Sequence, residues 1–371
     1  MNCYFEASIL QVPHYTGCQV YVVRVLENLF RMAPGATFHL HFGMDGWNSE
    51  IDRLLEAPNA VAHRHPGTVG RHLVPVANIL RTGSSSYYLL NGNTGWLRVW
   101  VPCASIALLH DMRFVLCPEI YGEQYCADFA RDAKKWMPRR DRIVTVSETV
   151  KQEILEFSGL SEDRVVVVPN APNVDEHTKI VSKPESLPDA ARFFLMVNPS
   201  DVRKNWRLVL DGFERYLARS RDEETELVLA GKLGANEGPL TAFLEEKPGL
   251  KQRVRLLGFV SDAELCYLYR NARLMVYPSV YEGFGIPVVE AIANGAPTIV
   301  SDIPIFREVT NGAALFVPLD DPEALCEAYA QLENDSVARS ALVEDGKVQA
   351  RRYSWERSAA ITLELLRDFG R

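Results

Sequence analysis

The stretch that decides the fold is Tyr277-Pro278-Ser279-Val280-Tyr281-Glu282-Gly283-Phe284-Gly285-Ile286-Pro287-Val288-Val289-Glu290. Before it, Arg273-Leu274-Met275-Val276 is a short apolar run of strand type. From Val288 onward, Val288-Val289-Glu290-Ala291-Ile292-Ala293-Asn294-Gly295 reads as a helix stopped by glycine. Pro287 suits the first helical turn, where a missing N–H costs nothing. Gly283 and Gly285 let the backbone turn tightly and approach a ligand. Strand, glycine loop and helix N-terminus follow one another, and the free N–H groups and dipole of such a terminus attract an anion. Two carboxylates flank it, Glu282 in the loop and Glu290 in the first turns of the helix. Next to a phosphate a carboxylate is repelled, so both are better read as hydroxyl binders on either side of one. A ribose on one side and a sugar on the other fit.

The same unit recurs along the C-terminal half. Strands are predicted over residues 193–197, 226–230, 254–257, 273–276, 298–301 and 315–317, with helices over 205–219, 262–271, 287–294 and 322–333. After the first of these strands comes Asn198-Pro199-Ser200-Asp201-Val202-Arg203-Lys204-Asn205-Trp206. Arg203 and Lys204 side by side at a strand-to-helix turn suit a diphosphate, one as a planar fork and the other as a point charge. The plain alternative is a solvated pair on a loop. Gly258-Phe259-Val260-Ser261-Asp262 ends another strand and offers backbone groups to a flat ring.

Working back to the N-terminal half, strand-like runs fall at 8–12, 37–42, 60–64, 87–90, 106–109, 142–146 and 165–168, with helix-like segments among them. This alternation predicts an α/β chain with an open parallel sheet in each half. Ligands of such sheets lie outside the carboxyl ends of the strands. Leu108-Leu109-His110-Asp111 ends one strand, so His110 either touches a substrate or hydrogen-bonds a nearby loop. Thr16-Gly17-Cys18-Gln19 enters a helix, and Gly17 is either a phosphate approach or a plain turn. Ser147 reads as an N-cap or as a hydroxyl offered to the same side. Arg131-Asp132-Ala133-Lys134-Lys135-Trp136-Met137-Pro138-Arg139-Arg140-Asp141-Arg142 sets basic residues around a Trp and a Met. It reads as a peripheral membrane or lipid-diphosphate contact, or as a solvated helix end with a buried Trp. His63-Arg64-His65-Pro66-Gly67 and Gly70-Arg71-His72 form a second basic, turn-rich stretch.

A polar segment with Pro184 and Pro188 interrupts the pattern. The expected layout is an N-terminal domain over 1–172, a linker over 173–191, a C-terminal domain over 192–352 and a last helix over 353–371. That helix either returns to the N-terminal domain or packs on its own. A chain of 371 residues suits two domains. A net charge of −8 argues against bulk nucleic-acid binding. The seven cysteines show no Cys-x-x-Cys spacing, so a zinc site is not expected. With no basic leader followed by an apolar run and no run of about 20 apolar residues, a cytoplasmic protein is expected, peripheral at the inner membrane face if the basic Trp stretch is used.

Together and in this order, these pieces resemble the retaining glycosyltransferases of family 4, which have the GT-B fold of two Rossmann-like domains facing a central cleft. Glu282-Gly283-Phe284-Gly285 with Glu290 is similar to the family's Glu-x7-Glu motif. Arg203 and Lys204 match its basic phosphate-binding turn, Gly258 to Asp262 its base-holding segment, His110-Asp111 its N-terminal His-Asp pair, and Tyr353-Ser354-Trp355 the start of its last helix. The segment Ile303-Pro304-Ile305-Phe306-Arg307-Glu308-Val309 resembles the mannosyltransferase-like branch. The single glycine at Gly17 departs from the two that many relatives carry there.

The resemblance implies transfer of a sugar, with retention, from a nucleotide-diphosphate donor to a glycan or lipid-linked acceptor in polysaccharide or glycoconjugate assembly. GDP-mannose is the first donor expected and a UDP-sugar the second. No metal or other cofactor is implied. Arg203, Lys204, Gly285, Ile286, Pro287 and Gly17 would face the diphosphate. Glu290, Phe259 and Val260 would hold ribose and base. Glu282, Gly283, Phe284 and His110 would hold the donor sugar, with His110 and Glu282 at the reacting centre. Two other readings share the architecture: a non-hydrolysing sugar-nucleotide epimerase and a non-catalytic nucleotide-sugar-binding partner subunit.

Overall fold

The computed structural model describes residues 1–12, 15–65, 68–90, 101–175, 177–189, 191–220 and 223–369, with the backbone alone for 68–73. The chain forms two compact units, Met1–Asn170 with Ser354–Arg371, and Ala171–Tyr353.

The first unit holds a parallel sheet of strands β1 (Asn2–Glu6), β2 (Thr37–Phe42), β3 (Ala60–Arg64), β4 (Ser86–Leu89), β5 (Ala104–Leu108), β6 (Arg142–Thr145) and β7 (Val165–Val167). Their order across the sheet is β3-β2-β1-β4-β5-β6-β7. The first strand is not the expected 8–12 but Asn2–Glu6, and Ser8–Leu10 is a buried 3-10 turn after it. The reason is position: β1 pairs with β2 on one side and β4 on the other. A central strand is covered on both faces, and Cys3, Tyr4 and Phe5 are fully buried. Polar Asn2 and Glu6 at its ends hide so short an apolar run. The core gathers Tyr4, Leu89, Ala107, Trp136, Ile143 and Ile154.

The last helix, Trp355–Asp368, belongs to this unit. Its Ser358 hydroxyl donates to the Pro169 carbonyl at 2.6 Å, and Trp355 meets the edge of the Tyr21 ring at a centroid distance of 6.0 Å.

The second unit carries β8 (Phe193–Val197), β9 (Glu226–Ala230), β10 (Val254–Gly258), β11 (Leu274–Tyr277), β12 (Thr298–Ser301) and β13 (Leu315–Val317), all parallel, in the order β10-β9-β8-β11-β12-β13. This is the doubly wound Rossmann order, and the chain reverses direction across the sheet between β8 and β11. Phe194, Phe213, Tyr216 and Tyr329 form an aromatic cluster on one face, continued by Leu227, Val276 and Ile299. The described residues among 173–191 run along this unit without regular structure. The Ser182 N–H donates to the Ala263 carbonyl at 3.1 Å, and Arg270 Nη2 donates to the Asp175 carbonyl at 2.8 Å.

Candidate active site

The turns after β8 and β11 leave the sheet side by side, at the point where its strand order reverses. Ligands of open α/β sheets collect there. Asn198 ends β8 in a left-handed conformation, φ 54°. Asp201 then caps a short 3-10 turn, Val202–Lys204, by accepting the Arg203 N–H at 3.0 Å. Asn205, also left-handed, donates to the Leu319 carbonyl at 2.8 Å and releases the chain into the helix Trp206–Ser220. After β11 the chain passes through Ser279 and Glu282 to Gly285, whose φ of 86° starts the helix Ile286–Ala293 with Pro287 in its first turn. A Cβ on Gly285 would stand 2.7 Å from Phe306 Cε1, so glycine is required by both conformation and space.

Lys204 and Glu282 meet as a buried ion pair, each side chain about nine-tenths covered. The Lys204 ammonium also stands 4.8 Å over the Tyr277 ring. Burial pushes the Glu282 carboxyl up, but Lys204, then Arg203, and the hydrogen bonds from Lys204 and Ser279 outweigh it and hold the group below its ordinary value. Burial, and next the Glu282 charge, push the Tyr277 phenol far up. Arg203 reaches its surroundings differently. Its Nε and Nη2 donate to Asp201 and its Nη1 donates to the Tyr281 carbonyl at 3.1 Å.

Glu290 sits inside the helix, 4% exposed. Its Oε1 accepts the Asn173 N–H at 3.1 Å and the Asn173 amide at 3.3 Å, and its Oε2 accepts the Tyr269 hydroxyl at 3.2 Å. Burial raises its carboxyl to about 7 against these hydrogen bonds. Gly283 and Phe284 are buried, and the Phe284 ring packs edge-on against Tyr353 at 5.1 Å. Phe259 stands out from the carboxyl end of β10, 75% exposed, with Val260 half-buried beside it. The second unit thus brings Arg203, Lys204, Glu282 and the head of the glycine-led helix together, with Glu290 in that same helix.

In the first unit, His110 follows β5 and packs edge-to-face on Tyr21 at 5.2 Å. Its Nε2 has no hydrogen-bond partner among the described residues. Burial, then the Arg113 charge, push its imidazole down to about 3, so it is neutral near pH 7. Gly17 is exposed at the start of the helix Gly17–Met32, behind Thr16, whose N–H donates to Gln19 Oε1 at 2.9 Å. Ser147 caps the helix Glu148–Ser158 by accepting the Val150 N–H at 3.1 Å. In the basic stretch, Trp136 and Met137 lie in the core, while Arg131 and Lys135 are exposed and paired with Asp128 and Asp132. Of the second basic stretch, Pro66, Gly67 and the side chains of Arg71 and His72 lie outside the described residues, as do Pro13 and His14.

Asp201, Tyr269 and Asn173 were not among the residues singled out from the sequence. An Asp in a loop ahead of a helix readily bonds the backbone N–H two residues on, a signal that could have found Asp201. Tyr269 and Asn173 lie too far along the chain from Glu290 to leave a local signal. Among the described residues no group of three or more His, Cys, Asp and Glu side chains is placed to hold a metal ion, and no helix is long and apolar enough to cross a membrane.

Residues 178–349 match the family described as glycosyl transferases group 1. O-antigen chain mannosyltransferase B of Escherichia coli is 28% identical over 267 residues, covering 70% of this chain and 69% of that protein. O-antigen chain mannosyltransferase RfbU of Salmonella typhimurium is 31% identical over 235 residues, 62% of each chain. Among solved structures, that of Anabaena HepE in complex with UDP and glucose superposes with a TM-score of 0.72 at 16% identity, covering 98% of both chains. The chain is a glycosyltransferase of the GT-B fold, with a glycosyl transferases group 1 domain in its second unit and a sequence similar to the O-antigen mannosyltransferases.

Proposed function

We propose that the chain is a retaining transferase that moves a hexosyl group from a nucleotide-diphosphate sugar to a glycan or lipid-linked acceptor during assembly of a surface polysaccharide or another glycoconjugate. The observation that carries this reading is the buried Lys204–Glu282 pair set just ahead of the glycine-led helix Ile286–Ala293. The names of the mannosyltransferase relatives favour GDP-mannose as donor, with a UDP-sugar second.

The base lies against Phe259 and Val260, and the ribose hydroxyls bind Glu290. The diphosphate meets the N–H groups at Gly285, Ile286 and Pro287's turn together with the Lys204 ammonium, and the Arg203 charge adds to the same field. Negative charge grows on the leaving diphosphate as the glycosidic bond breaks, and fixed donors aimed at that charge lower the barrier. Lys204 and the helix dipole do there what a divalent cation does in other enzymes. Glu282 and the backbone of Gly283 and Phe284 hold hydroxyls of the transferred sugar.

The bond from the anomeric carbon to the diphosphate oxygen breaks while the acceptor oxygen bonds to the same face of that carbon. The acceptor proton passes to the departing phosphate oxygen. Glu282, tied to Lys204, is a hydroxyl binder and not the nucleophile of a double displacement. On the first unit we assign the neutral His110 imidazole to a sugar hydroxyl and Gly17 to a phosphate approach. With Trp136 and Met137 buried, any contact of the 131–142 stretch with an anionic inner membrane face is electrostatic, through Arg131, Lys135 and Arg139.

The test is transfer from GDP-mannose, UDP-glucose and UDP-galactose to an acceptor panel, with the product anomer read by NMR. Product with the donor's anomeric configuration supports the reading. An inverted product overturns retention, donor epimerised without any acceptor supports the epimerase, and nucleotide-sugar binding with no transfer in a wide screen supports a binding subunit.

A further inference from the structure

The structure assigns Asp201 and Arg203 a role that the motif alone does not reveal: they form a clasp that fixes the β11 turn against the β8 turn and so positions Lys204 and Glu282. This inference rests on the transferase reading for its kinetic consequence, but not for its structural one.

The clasp has two sides. On one, Arg203 is gripped by its near neighbour: Asp201 Oδ1 accepts the Arg203 N–H at 3.0 Å and Nε at 3.1 Å, and Oδ2 accepts Nη2 at 2.6 Å. Such a fork-to-fork pair sets the guanidinium plane as well as its place. On the other, Arg203 holds the β11 turn from both ends of its own residue. Its Nη1 donates to the Tyr281 carbonyl at 3.1 Å. Its carbonyl accepts the Val280 N–H at 2.8 Å and the Ser279 hydroxyl at 3.1 Å. Lys204 follows Arg203 directly, and Glu282 follows Tyr281 directly. The ion pair at the site therefore closes a ring of contacts whose other members are Asp201, Arg203 and residues 279–281.

Arg203 is 5% exposed and its N–H groups point into this ring. An arginine that binds a phosphate directly presents an open fork to it. Here the fork is filled by a carboxylate and a backbone carbonyl, so Arg203 acts on the diphosphate through Lys204 and through its charge. It is a positioning residue, and Asp201 is its anchor. The two roles predict opposite signs for the loss of Asp201. If Asp201 only competes with the diphosphate for Arg203, removing its charge frees the fork and tightens nucleotide binding. If Asp201 anchors a clasp, removing its charge loosens both turns and weakens transfer.

The experiment uses the full chain with three changes: Asp201→Asn, Arg203→Lys and the pair together. Hydrogen exchange is first measured without any nucleotide at the amides of residues 280–283. The clasp predicts that each single variant speeds exchange there by about tenfold or more, with the rest of the second unit unchanged, because local opening is set by local contacts. Affinity for GDP and UDP and donor kinetics follow. Both single variants lose about 10- to 100-fold in kcat, since a small misplacement of catalytic groups costs on that scale. Arg203→Lys, which keeps the charge and loses the fork, does not rescue, and the double variant is no worse than either single one.

Unchanged exchange at residues 280–283, tighter GDP or UDP binding in Asp201→Asn, or additive losses in the double variant each overturn the clasp. Should Arg203→Lys fail to fold, Ser279→Ala removes the bond to the Arg203 carbonyl without touching the guanidinium and is held to the same exchange result. If no donor supports transfer by the parent chain, the transferase reading fails, and the exchange arm still decides the clasp.

Discussion

Replacing Lys204 with Met leaves the Glu282 carboxylate buried without its main partner. Both side chains are about nine-tenths covered, so water cannot take over the role of the ammonium. Breaking a buried pair by removing one member costs about 3–5 kcal/mol, most of it the penalty of the charge left behind. For a unit the size of Ala171–Tyr353 this lowers the melting temperature by about 6–20 °C. Lys204 is also the largest force holding the Glu282 carboxyl down against burial.

The pH dependence follows with a definite sign. In the parent chain the depressed carboxyl contributes stability that is present above its unfolded value and lost as pH falls through its folded value. In Lys204→Met burial prevails, the folded carboxyl rises, and the variant's deficit shrinks as pH falls and the group protonates. Adding Glu282→Gln removes the stranded charge, so the double variant recovers most of the stability while transfer stays down by about 10²–10³-fold. The assay is thermal melting of both variants between pH 5 and pH 8 with donor turnover alongside. A Lys204→Met chain that melts within about 2 °C of the parent, less than about 1 kcal/mol on the same scale, refutes the reasoning, as does a double variant no more stable than the single one.

Glu290 gives the opposite slope: with its carboxyl raised to about 7 by burial, its contribution is fully present below the ordinary carboxylate value and lost as pH rises through 7. Glu290→Gln should therefore flatten the fall in melting temperature between pH 5 and pH 8, and an unchanged slope contradicts this. Gly285→Ala puts a side chain at φ 86° and 2.7 Å from Phe306. Left-handed strain alone costs about 1–2 kcal/mol, so a clear drop in melting temperature and loss of nucleotide binding are expected, and parent-like behaviour counts against the turn as described. Transfer should persist in excess EDTA. Loss that a divalent ion restores would overturn the metal-free account.

The second unit was legible because most of its strands are buried apolar runs, each closed by a turn signal. The runs at 193–197, 226–230, 298–301 and 315–317 coincide with β8, β9, β12 and β13. The first strand was not legible, because Asn2 and Glu6 bracket only three buried residues and the more apolar Ser8–Leu10 turn follows at once. The helix Ser336–Ala350 was also missed, since its apolar residues are not gathered on one face: Val337 and Val348 are exposed, and half of its length is solvent-facing. At the site, Glu282, Glu290, Arg203 and Lys204 stood out by type and spacing. Their partners did not. The grip of Asn173 and Tyr269 on Glu290 and of Tyr281 on Arg203 joins residues far apart in the chain, and only the folded sheet brings them together. The sequence set the Arg203 fork and the Lys204 point charge side by side at one turn, and the fold adds their partners, Asp201 on Arg203 and Glu282 on Lys204.

On the proposed reading, the second unit binds a nucleoside-diphosphate sugar through Lys204, Glu282 and Glu290. The most direct measurement is the melting temperature of the full chain titrated with GDP, UDP, ADP and their sugars. A ligand that binds only the folded state stabilises it by RT ln(1 + [L]/Kd). One base series should raise the melting temperature in proportion to the logarithm of concentration, and the Glu282→Gln, Glu290→Gln pair should abolish the rise. No shift with any nucleotide at millimolar concentration, or a shift that survives both substitutions, would contradict it.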